Sequence, residues 1–173
     1  RRWGLVPHWA REEKIGDRLI NARVETLAEK PAFRDSLHRR RCLVPADGFY
    51  EWKKTGNRKQ PYYFYLRDRT TFAFAGIWEC KPVESGTLNT YSILTCEANP
   101  LVAEVHPRMP VILPRTEWEV WLNRSTGEER ALTVLKPYDP DEMQSHPVGL
   151  AVNRPANDSP ECIRPKTEQG LLF

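Results

Sequence analysis

Short apolar and alternating runs, separated by prolines and turn residues, dominate the pattern of hydrophobic and polar positions along this chain. Residues 71–79 and 90–96 are rich in aromatic and β-branched side chains, which predicts two strands. The apolar residues 111–113 predict a further strand of the same sheet. Fifteen prolines spread along the chain favour short elements over long ones.

A hairpin is predicted in the first half of the chain. Residues 42–54 read as a strand with a bend at Asp47-Gly48, and residues 55–57 form a turn of Thr, Gly and Asn. Residues 60–67 then return as an aromatic strand. A last strand is predicted around residues 145–152.

Helices are predicted on either side of these strands. Phe33 and Leu37 lie one helical turn apart within residues 31–41, with arginines at the C-terminal end, where positive charge suits the helix dipole. Residues 116–122 and 126–136 carry apolar stripes that predict two more helices. The sum is an α+β fold: a single domain over residues 1–173 with a curved, mainly antiparallel sheet, a barrel-like core and peripheral helices.

Composition and charge exclude several classes of protein. The 173 residues are 40% hydrophobic, which suffices for one core, and no apolar run approaches the length of a membrane span. We therefore expect a soluble protein without membrane contact. The net charge of +3 does not by itself indicate nucleic acid. Basic residues are locally concentrated, however, and such clusters are either solvated faces or phosphate contacts. They are Arg1-Arg2, Arg39 to Arg41, Lys53-Lys54 and Arg58-Lys59.

The cysteines give no sign of a metal or redox site. The four of them, Cys42, Cys80, Cys96 and Cys162, lie far apart without a CxxC pair. Zinc sites and redox motifs need paired spacing, so we expect reduced, mostly buried thiols, no metal and no cofactor.

His106 stands beside Arg108 where a short helical turn gives way to the next apolar run. Its imidazole is the side chain whose unperturbed pKa lies nearest neutrality, which suits proton transfer. A lone histidine of this kind is more often structural, so this segment alone leaves both roles open.

Glu51 lies among aromatic residues in a predicted strand, on the same face as Phe49 and Lys53. Poor solvation would raise the pKa of its carboxyl into a useful acid–base range. The alternative is an exposed edge-strand glutamate paired with Lys53 or Lys54.

Asn21 and Arg23 follow an apolar pair at the end of a predicted strand. The Asn21 amide can orient a substrate, and the Arg23 guanidinium can bind a phosphate. The alternative is a turn-forming asparagine with an ordinary salt bridge to Glu25. Thr95, at another strand end, can position a substrate or simply pack.

Four ordered blocks resemble the SRAP (SOS response-associated peptidase) family, and together they span nearly the whole chain. They are WGLVPHW at residues 3–9, NARVET at 21–26, PADGFYEW at 45–52, and the segment from Thr95 to HPRMP at 106–110. A fifth, weaker block covers residues 145–148 and 151–153.

The resemblance implies a protein that binds single-stranded DNA and reacts covalently with abasic sites in the DNA damage response. The α-amine of an N-terminal cysteine attacks the ring-opened sugar aldehyde, and its thiol then closes a thiazolidine ring. The adduct shields the lesion. The implied activity is lyase-type and self-modifying, and the family name adds possible self-processing peptidase activity.

The resemblance also implies residue roles. Asn21 would orient the reacting end, Glu51 would move protons around the amine and Schiff base, and His106 would act as general acid on the sugar ring oxygen. The implied DNA-binding residues are Arg23, Thr95, Trp3, Trp9 and Arg108, of which the tryptophans would wedge against bases.

The sequence departs from the family pattern at its start, because it begins with Arg1 and each of its four cysteines is internal. Thiazolidine formation needs amine and thiol on one residue, so we expect the nucleophilic cysteine upstream of Arg1. We further expect a monomer, cytoplasmic and nucleoid-associated in a bacterium or nuclear in a eukaryote. Two other hypotheses stay open: an autoproteolytic or thiol peptidase, and a non-covalent single-stranded DNA binder.

Overall fold

Short strands and shorter helices make up the computed structural model, which describes residues 1–84 and 86–166. The strands are β1 (Arg2–Trp3), β2 (Asn21–Arg23), β3 (Arg41–Ala46), β4 (Phe49–Thr55), β5 (Arg58–Leu66), β6 (Phe72–Val83), β7 (Gly86–Glu97), β8 (Arg108–Pro110), β9 (Ile112–Leu113) and β10 (Met143–Pro147). The α-helices are α1 (Pro31–Arg39), α2 (Pro100–Ala103), α3 (Trp118–Leu122) and α4 (Glu128–Leu132). Among the 3₁₀ turns are Glu13–Arg18 and Leu150–Asn153.

The chain forms two compact units, each made of three separate segments. The first unit comprises residues 1–46, 72–97 and 108–138, and the second comprises residues 47–71, 98–107 and those from 139 onward. Because the segments interleave, neither unit is a continuous stretch of chain. The prediction of one domain over residues 1–173 stays a prediction.

A mixed seven-stranded sheet forms the first unit. Its path is β1-β7-β6-β3, with β2 and β8 also paired to β7 and β9 paired to β6. β6 and β7 form a long antiparallel hairpin, whereas β1 and β2 pair with β7 in parallel. Residues 72–77 of β6 are all buried, which explains why that strand reads as a continuous apolar run.

The second unit contains the antiparallel sheet β10-β5-β4, in which β4 is an edge strand. Tyr63, Tyr65 and Val148 form a buried cluster, against which the partly buried Tyr50 and Val152 pack. Alternation along β4 places Tyr50 on this aromatic face and turns Glu51 to the opposite face. The sheet thus buries the tyrosines and presents the carboxylate on its other side.

The predicted α+β class and the mainly antiparallel pairing are confirmed, but the barrel-like core is wrong. The strands of the described residues do not close, because the seven-stranded path ends at β1 and β3. The strand predicted over residues 42–54 breaks at its expected bend, and its halves, β3 and β4, belong to different sheets. At that break a Cβ on Gly48 would meet the Tyr63 ring at 2.3 Å.

Other elements differ from the prediction in extent, among them α4, which covers only Glu128–Leu132 of the helix predicted over residues 126–136. The last strand, β10, ends at Pro147 rather than near residue 152, where a 3₁₀ turn stands instead. α3 begins at Trp118 after a 3₁₀ turn at Arg115–Glu117. Trp121 is fully buried as the apolar stripe predicts, whereas Leu122 is exposed.

Candidate active site

Glu51 lies on edge strand β4, opposite Tyr62 of β5. On the same face, Phe49 stacks on the fully buried Phe64 with ring centroids 5.1 Å apart. The Glu51 side chain is 22% exposed, so its carboxylate is held among aromatic groups with limited access to water.

Burial raises the pKa of the Glu51 carboxyl above its ordinary value, and this effect outweighs the opposing effects of His106 and of a backbone hydrogen bond from Trp52. The pKa of Glu51 is thus shifted in the direction that its aromatic neighbours in the sequence predict. Within the described residues no ion pair links Glu51 to Lys53 or Lys54, so the alternative of an exposed, lysine-paired glutamate is wrong.

His106 is placed by the short helix α2 and the loop that closes behind it. The Asn99 side chain caps the helix by accepting a hydrogen bond from the Val102 amide at 2.9 Å. The His106 amide donates to the Val102 carbonyl at 2.9 Å, and the Ala98 amide donates to Pro107 O at 3.1 Å. These bonds fix the backbone on both sides of the imidazole.

Glu51 and His106 meet within the second unit. The distance from His106 Nδ1 to Glu51 Oε2 is 3.7 Å, and the imidazole is 42% exposed. A half-exposed imidazole beside a poorly solvated carboxylate is an arrangement that can divide acid and base duties near neutral pH. The sequence separates these residues by more than fifty positions, and the fold brings them together.

Asn21, Arg23 and Thr95 lie in the first unit. β2 runs parallel to β7 in a register that pairs Asn21 with Ile93 and Arg23 with Thr95. Asn21 and Arg23 are exposed. An exposed guanidinium one strand away from a threonine hydroxyl is suited to a phosphate or sugar ligand.

Arg108 makes an internal contact that the sequence analysis did not predict. Its Nη1 and Nη2 contact the two Glu25 carboxylate oxygens at 2.5 and 3.0 Å, and Nη2 also donates to Thr95 O at 2.6 Å. This hydrogen bonding lowers the pKa of the Glu25 carboxyl. The salt bridge that the sequence suggested between Arg23 and Glu25 is therefore made by Arg108, whose DNA contact stays a prediction.

Trp3 and Trp9 are large exposed aromatic residues of the first unit, at 49% and 53% exposure. The Trp3 indole donates a hydrogen bond to Ile20 O at 2.8 Å, one residue before Asn21. Trp9 stands in a tight turn in which the Ala10 amide donates to Pro7 O at 2.9 Å. Both rings are available for stacking, and their DNA contacts stay predictions.

Two of the internal cysteines, Cys42 and Cys96, are poor nucleophiles. Burial raises the pKa of both the Cys42 and Cys96 thiols to about 11, so each is protonated at neutral pH. All four cysteines are free; Cys96 and Cys162 are buried, Cys42 is partly buried and Cys80 is exposed, so Cys80 departs from the expected burial.

One cluster of side chains has the composition of a metal site. His8, Asp35 and Glu79 hold potential ligand atoms within 4.8 Å of one another in the first unit. The guanidinium of Arg40 contacts both Asp35 and Glu79, the latter at 2.9 Å. Because an arginine already supplies the positive charge between these carboxylates, we interpret the cluster as an internal ion-pair network.

Sequence reasoning missed two groups that support the site. Asn99 next to Pro100 is a recognisable helix-start signal and was available from the sequence. The hydrogen bond from Trp52 Nε1 to Asn153 Oδ1, 2.8 Å long, joins residues too distant in sequence for any local signal.

Comparison with known proteins identifies a family and named relatives. The model of a family described as SOS response associated peptidase (SRAP) matches residues 1–155. The chain is 46% identical over 165 residues to the abasic site processing protein YoqW of Bacillus subtilis, covering 94% of this chain and 74% of that protein. It is 36% identical over 190 residues to the abasic site processing protein HMCES of Gallus gallus, covering 95% and 56%.

Solved structures agree with the fold. A crystal structure of a protein from Bacteroides thetaiotaomicron matches with a TM-score of 0.89 at 35% identity, over 95% of this chain and 75% of that chain. Another, from Bordetella bronchiseptica, matches with a TM-score of 0.76 at 30% identity, over 86% and 76%. Among the residues that the structure describes, no helix is long and apolar enough to span a membrane.

Proposed function

Because the chain belongs to the SOS response associated peptidase (SRAP) family, we propose that it forms a covalent crosslink with abasic sites in single-stranded DNA. The observation that carries the proposal is the Glu51–His106 pair, in which a carboxyl with a raised pKa lies 3.7 Å from an imidazole. Relatives named abasic site processing proteins support the choice of substrate. The protein would act wherever its cell exposes single-stranded DNA, in the nucleoid or the nucleus.

His106 begins the reaction in this proposal. An abasic sugar rests mainly as a closed hemiacetal, which hides the aldehyde. The imidazolium of His106 donates a proton to the ring oxygen as the C1′–O4′ bond breaks, while Glu51 accepts the proton of the anomeric hydroxyl. The products are a free aldehyde at C1′, a neutral imidazole and a protonated carboxyl. Asn21 orients the reacting end.

The crosslink then forms through an N-terminal cysteine, which is not among the internal residues Cys42, Cys80, Cys96 and Cys162. Its α-amine adds to C1′ and water leaves, giving a Schiff base. The thiol adds across the C=N bond, so that sulfur bonds to C1′ and the nitrogen gains a proton. Glu51 exchanges the protons that these steps release and consume.

Binding of the strand rests on the first unit in this proposal. The exposed Arg23 and the Thr95 hydroxyl would contact the phosphate or sugar at the lesion, and Trp3 and Trp9 would stack on bases. If Arg108 bound a DNA phosphate, that phosphate would replace the Glu25 carboxylate, which the Arg108 guanidinium contacts in this structure.

Self-processing is a second reaction that the same carboxylate could serve, by removing the methionine before the nucleophilic cysteine. The intact mass of a Glu51→Ala variant of the full-length protein tests it. A retained methionine would support self-processing, and normal removal would assign that step to a separate aminopeptidase. A peptidase that used the thiol of Cys42 or Cys96 is disfavoured by the raised pKa values of these groups.

A denaturing gel tests the proposed crosslink. The full-length protein, with cysteine verified at its mature N-terminus, is incubated with single-stranded DNA carrying an abasic site. Matched strands carry either a normal base or a tetrahydrofuran, which lacks the aldehyde. We expect a heat-stable adduct with the abasic strand only. Salt-sensitive binding of all three strands without an adduct would instead identify a non-covalent DNA binder.

A further inference from the structure

Trp52, the residue after Glu51 on edge strand β4, has no backbone hydrogen bond to β5 at its own position. It lies opposite Pro61 of β5. The Val148 amide donates to Pro61 O at 3.0 Å, so the backbone polar groups of Pro61 point away from β4. In an antiparallel ladder this makes Trp52 and Pro61 a pair without mutual hydrogen bonds, and the Trp52 amide points to the outer edge of the sheet.

The Trp52 amide donates to the Glu51 carboxylate instead. Among the described residues no strand pairs with the outer edge of β4, so the ladder does not restrain this amide. The distance of 3.7 Å between Glu51 Oε2 and His106 Nδ1 depends on where this part of β4 lies. The position of Trp52 therefore affects one partner of the proposed acid–base pair.

The indole of Trp52 is held on the opposite face of the sheet. Its Nε1 donates to Asn153 Oδ1 at 2.8 Å. Alternation along β4 places the indole on the face of Tyr50, whose ring centroid lies 6.4 Å from that of Trp52, and turns Glu51 to the other face. One residue thus contacts Asn153 with its side chain and Glu51 with its amide.

Asn153 stands at the end of the 3₁₀ turn Leu150–Asn153, which is itself fixed within the second unit. The preceding Val152 packs against the buried tyrosine cluster of that unit. Asn157 Nδ2 donates to Ala151 O at 2.7 Å and secures the turn from its other side. A reacting group is held in a productive geometry when its supporting residues are locked by packing and hydrogen bonds of this kind.

We propose that Asn153 is a positioning residue for proton transfer by Glu51, acting through the indole and the amide of Trp52. Without this anchor, an edge strand that lacks a ladder bond at Trp52 is free to shift. Displacement of a reacting group by about 1 Å can cost about 100-fold in rate. This inference rests on the proposed function for its reaction.

Titration of the Glu51 carboxyl by NMR spectroscopy tests the inference without any reaction. The full-length protein is used, and the Glu51 signal is assigned by its loss in Glu51→Gln. The variants are Asn153→Ala, at an exposed position, and Trp52→Phe, which removes only the donor and part of the ring. The matched control is Asn157→Ala, which removes a hydrogen bond to Ala151 from the same segment.

We expect the pKa of Glu51 to rise further in Asn153→Ala and in Trp52→Phe, because the bond from the Trp52 amide favours the charged carboxylate. The other titratable neighbours of Glu51 are His106, the cross-strand Tyr62 and Lys53 on the same face, and they are the same in every variant.

Crosslinking of an abasic strand, measured against pH in single turnover, should follow the titration. The acid limb of the rate moves to higher pH, and the rate at neutral pH falls roughly tenfold in Asn153→Ala, less than the loss of about 100-fold expected when proton transfer is abolished. The double variant Trp52→Phe/Asn153→Ala should be no slower than the worse single variant, because both changes break one bond. Asn157→Ala should keep the wild-type titration and the wild-type acid limb.

An unchanged Glu51 titration in Asn153→Ala, or an equal change in Asn157→Ala, overturns the inference. A shifted titration in a protein whose wild type forms no adduct would contradict the covalent function and leave the link from Asn153 to Glu51 in place. Normal adduct formation with an acid limb that Asn153→Ala does not move would contradict the positioning role and leave the covalent function.

Discussion

Glu51 carries a charge that its surroundings disfavour, and His106 is the group that compensates for it. A raised carboxyl pKa means that the native state holds its proton to higher pH than the unfolded chain does. A glutamate that only stabilised the fold would be expected to show the opposite shift. The raised pKa of Glu51 beside His106 is therefore better explained by a role in proton transfer than by a contribution to stability.

The stability of a Glu51→Gln variant relative to wild type, measured as a function of pH, tests whether the pKa of Glu51 is raised. Above the ordinary pKa of 4.5, the unfolded chain loses its proton before the native state does, so wild-type stability falls as pH rises through this window. We expect the variant to gain stability relative to wild type as pH rises above 4.5, measured by urea unfolding. A relative stability of the variant that is independent of pH, or that falls, would contradict the raised pKa.

His106→Gln should slow ring opening more than any other step of the reaction. We expect adduct formation to slow by about 100-fold with an ordinary abasic strand, in the range of general acid catalysis. A strand whose lesion is an acyclic aldehyde needs no ring opening, so the variant should crosslink it at nearly the wild-type rate. Equal slowing on both strands, measured under single-turnover conditions, would remove the ring-opening role.

The sequence predicts the chemistry of single residues better than their partners. Aromatic neighbours in the chain were enough to predict the direction of the Glu51 pKa shift, because desolvation is a local effect. The pairing of Arg108 with Glu25 joins residues 83 positions apart, and nothing near either residue distinguishes that partner from Arg23. Long-range ion pairs depend on strand register, which local spacing does not determine.

At the scale of elements, the short helix α2 determines the position of His106. A four-residue helix is not stable by itself, so its cap matters more than in a longer helix. Asn99 provides that cap while its amide nitrogen contacts the Met143 sulfur at 3.3 Å, which ties the helix start to β10.

Asn99→Ala should therefore affect both stability and catalysis. Loss of the cap is expected to lower the free energy of unfolding by about 1–2 kcal/mol. It should also slow crosslinking at saturating DNA more than it weakens DNA affinity, because the imidazole is displaced while the residues proposed to bind DNA in the first unit stay in place. Asn99→Asp, which keeps the capping oxygen, is the control. A parallel loss of affinity and rate would indicate a purely structural role.

The elements themselves were predictable to different degrees. Hydrophobic periodicity located α1 and the long strands, because these elements bury regular apolar faces. β3 and β4 separate into two sheets beside Gly48, where the Tyr63 ring leaves no space for a Cβ. That contact comes from a residue of the next strand, so the sequence shows a bend there without showing which sheet each half joins.

Gly48→Ala tests this contact. The added methyl group would overlap the Tyr63 ring, whose hydroxyl also donates to Asp47 O at 3.1 Å. We expect a loss of about 1–3 kcal/mol in the free energy of unfolding from overpacking. Gly127→Ala, at a position with no atom near the new Cβ, is the control. Equal stability of the two variants would show that the break does not depend on this packing.

For the whole molecule, the proposed residue roles divide between the two units. The Glu51–His106 pair belongs to the second unit, and the residues proposed to bind the DNA strand belong to the first. The chain passes between the units several times, and His106 and Arg108 lie on either side of one such passage. One short sequence motif therefore supplies residues to both units.

Single-turnover crosslinking of abasic single-stranded DNA by wild type, Glu51→Gln, His106→Gln and the double variant tests the central claim most directly. The protein is full length, with cysteine verified at its mature N-terminus. If Glu51 and His106 act as one acid–base pair, each single variant slows adduct formation by about 100-fold, and the double variant is scarcely slower than the worse single one. Wild-type rates in either single variant, or no adduct with wild type, would contradict the account.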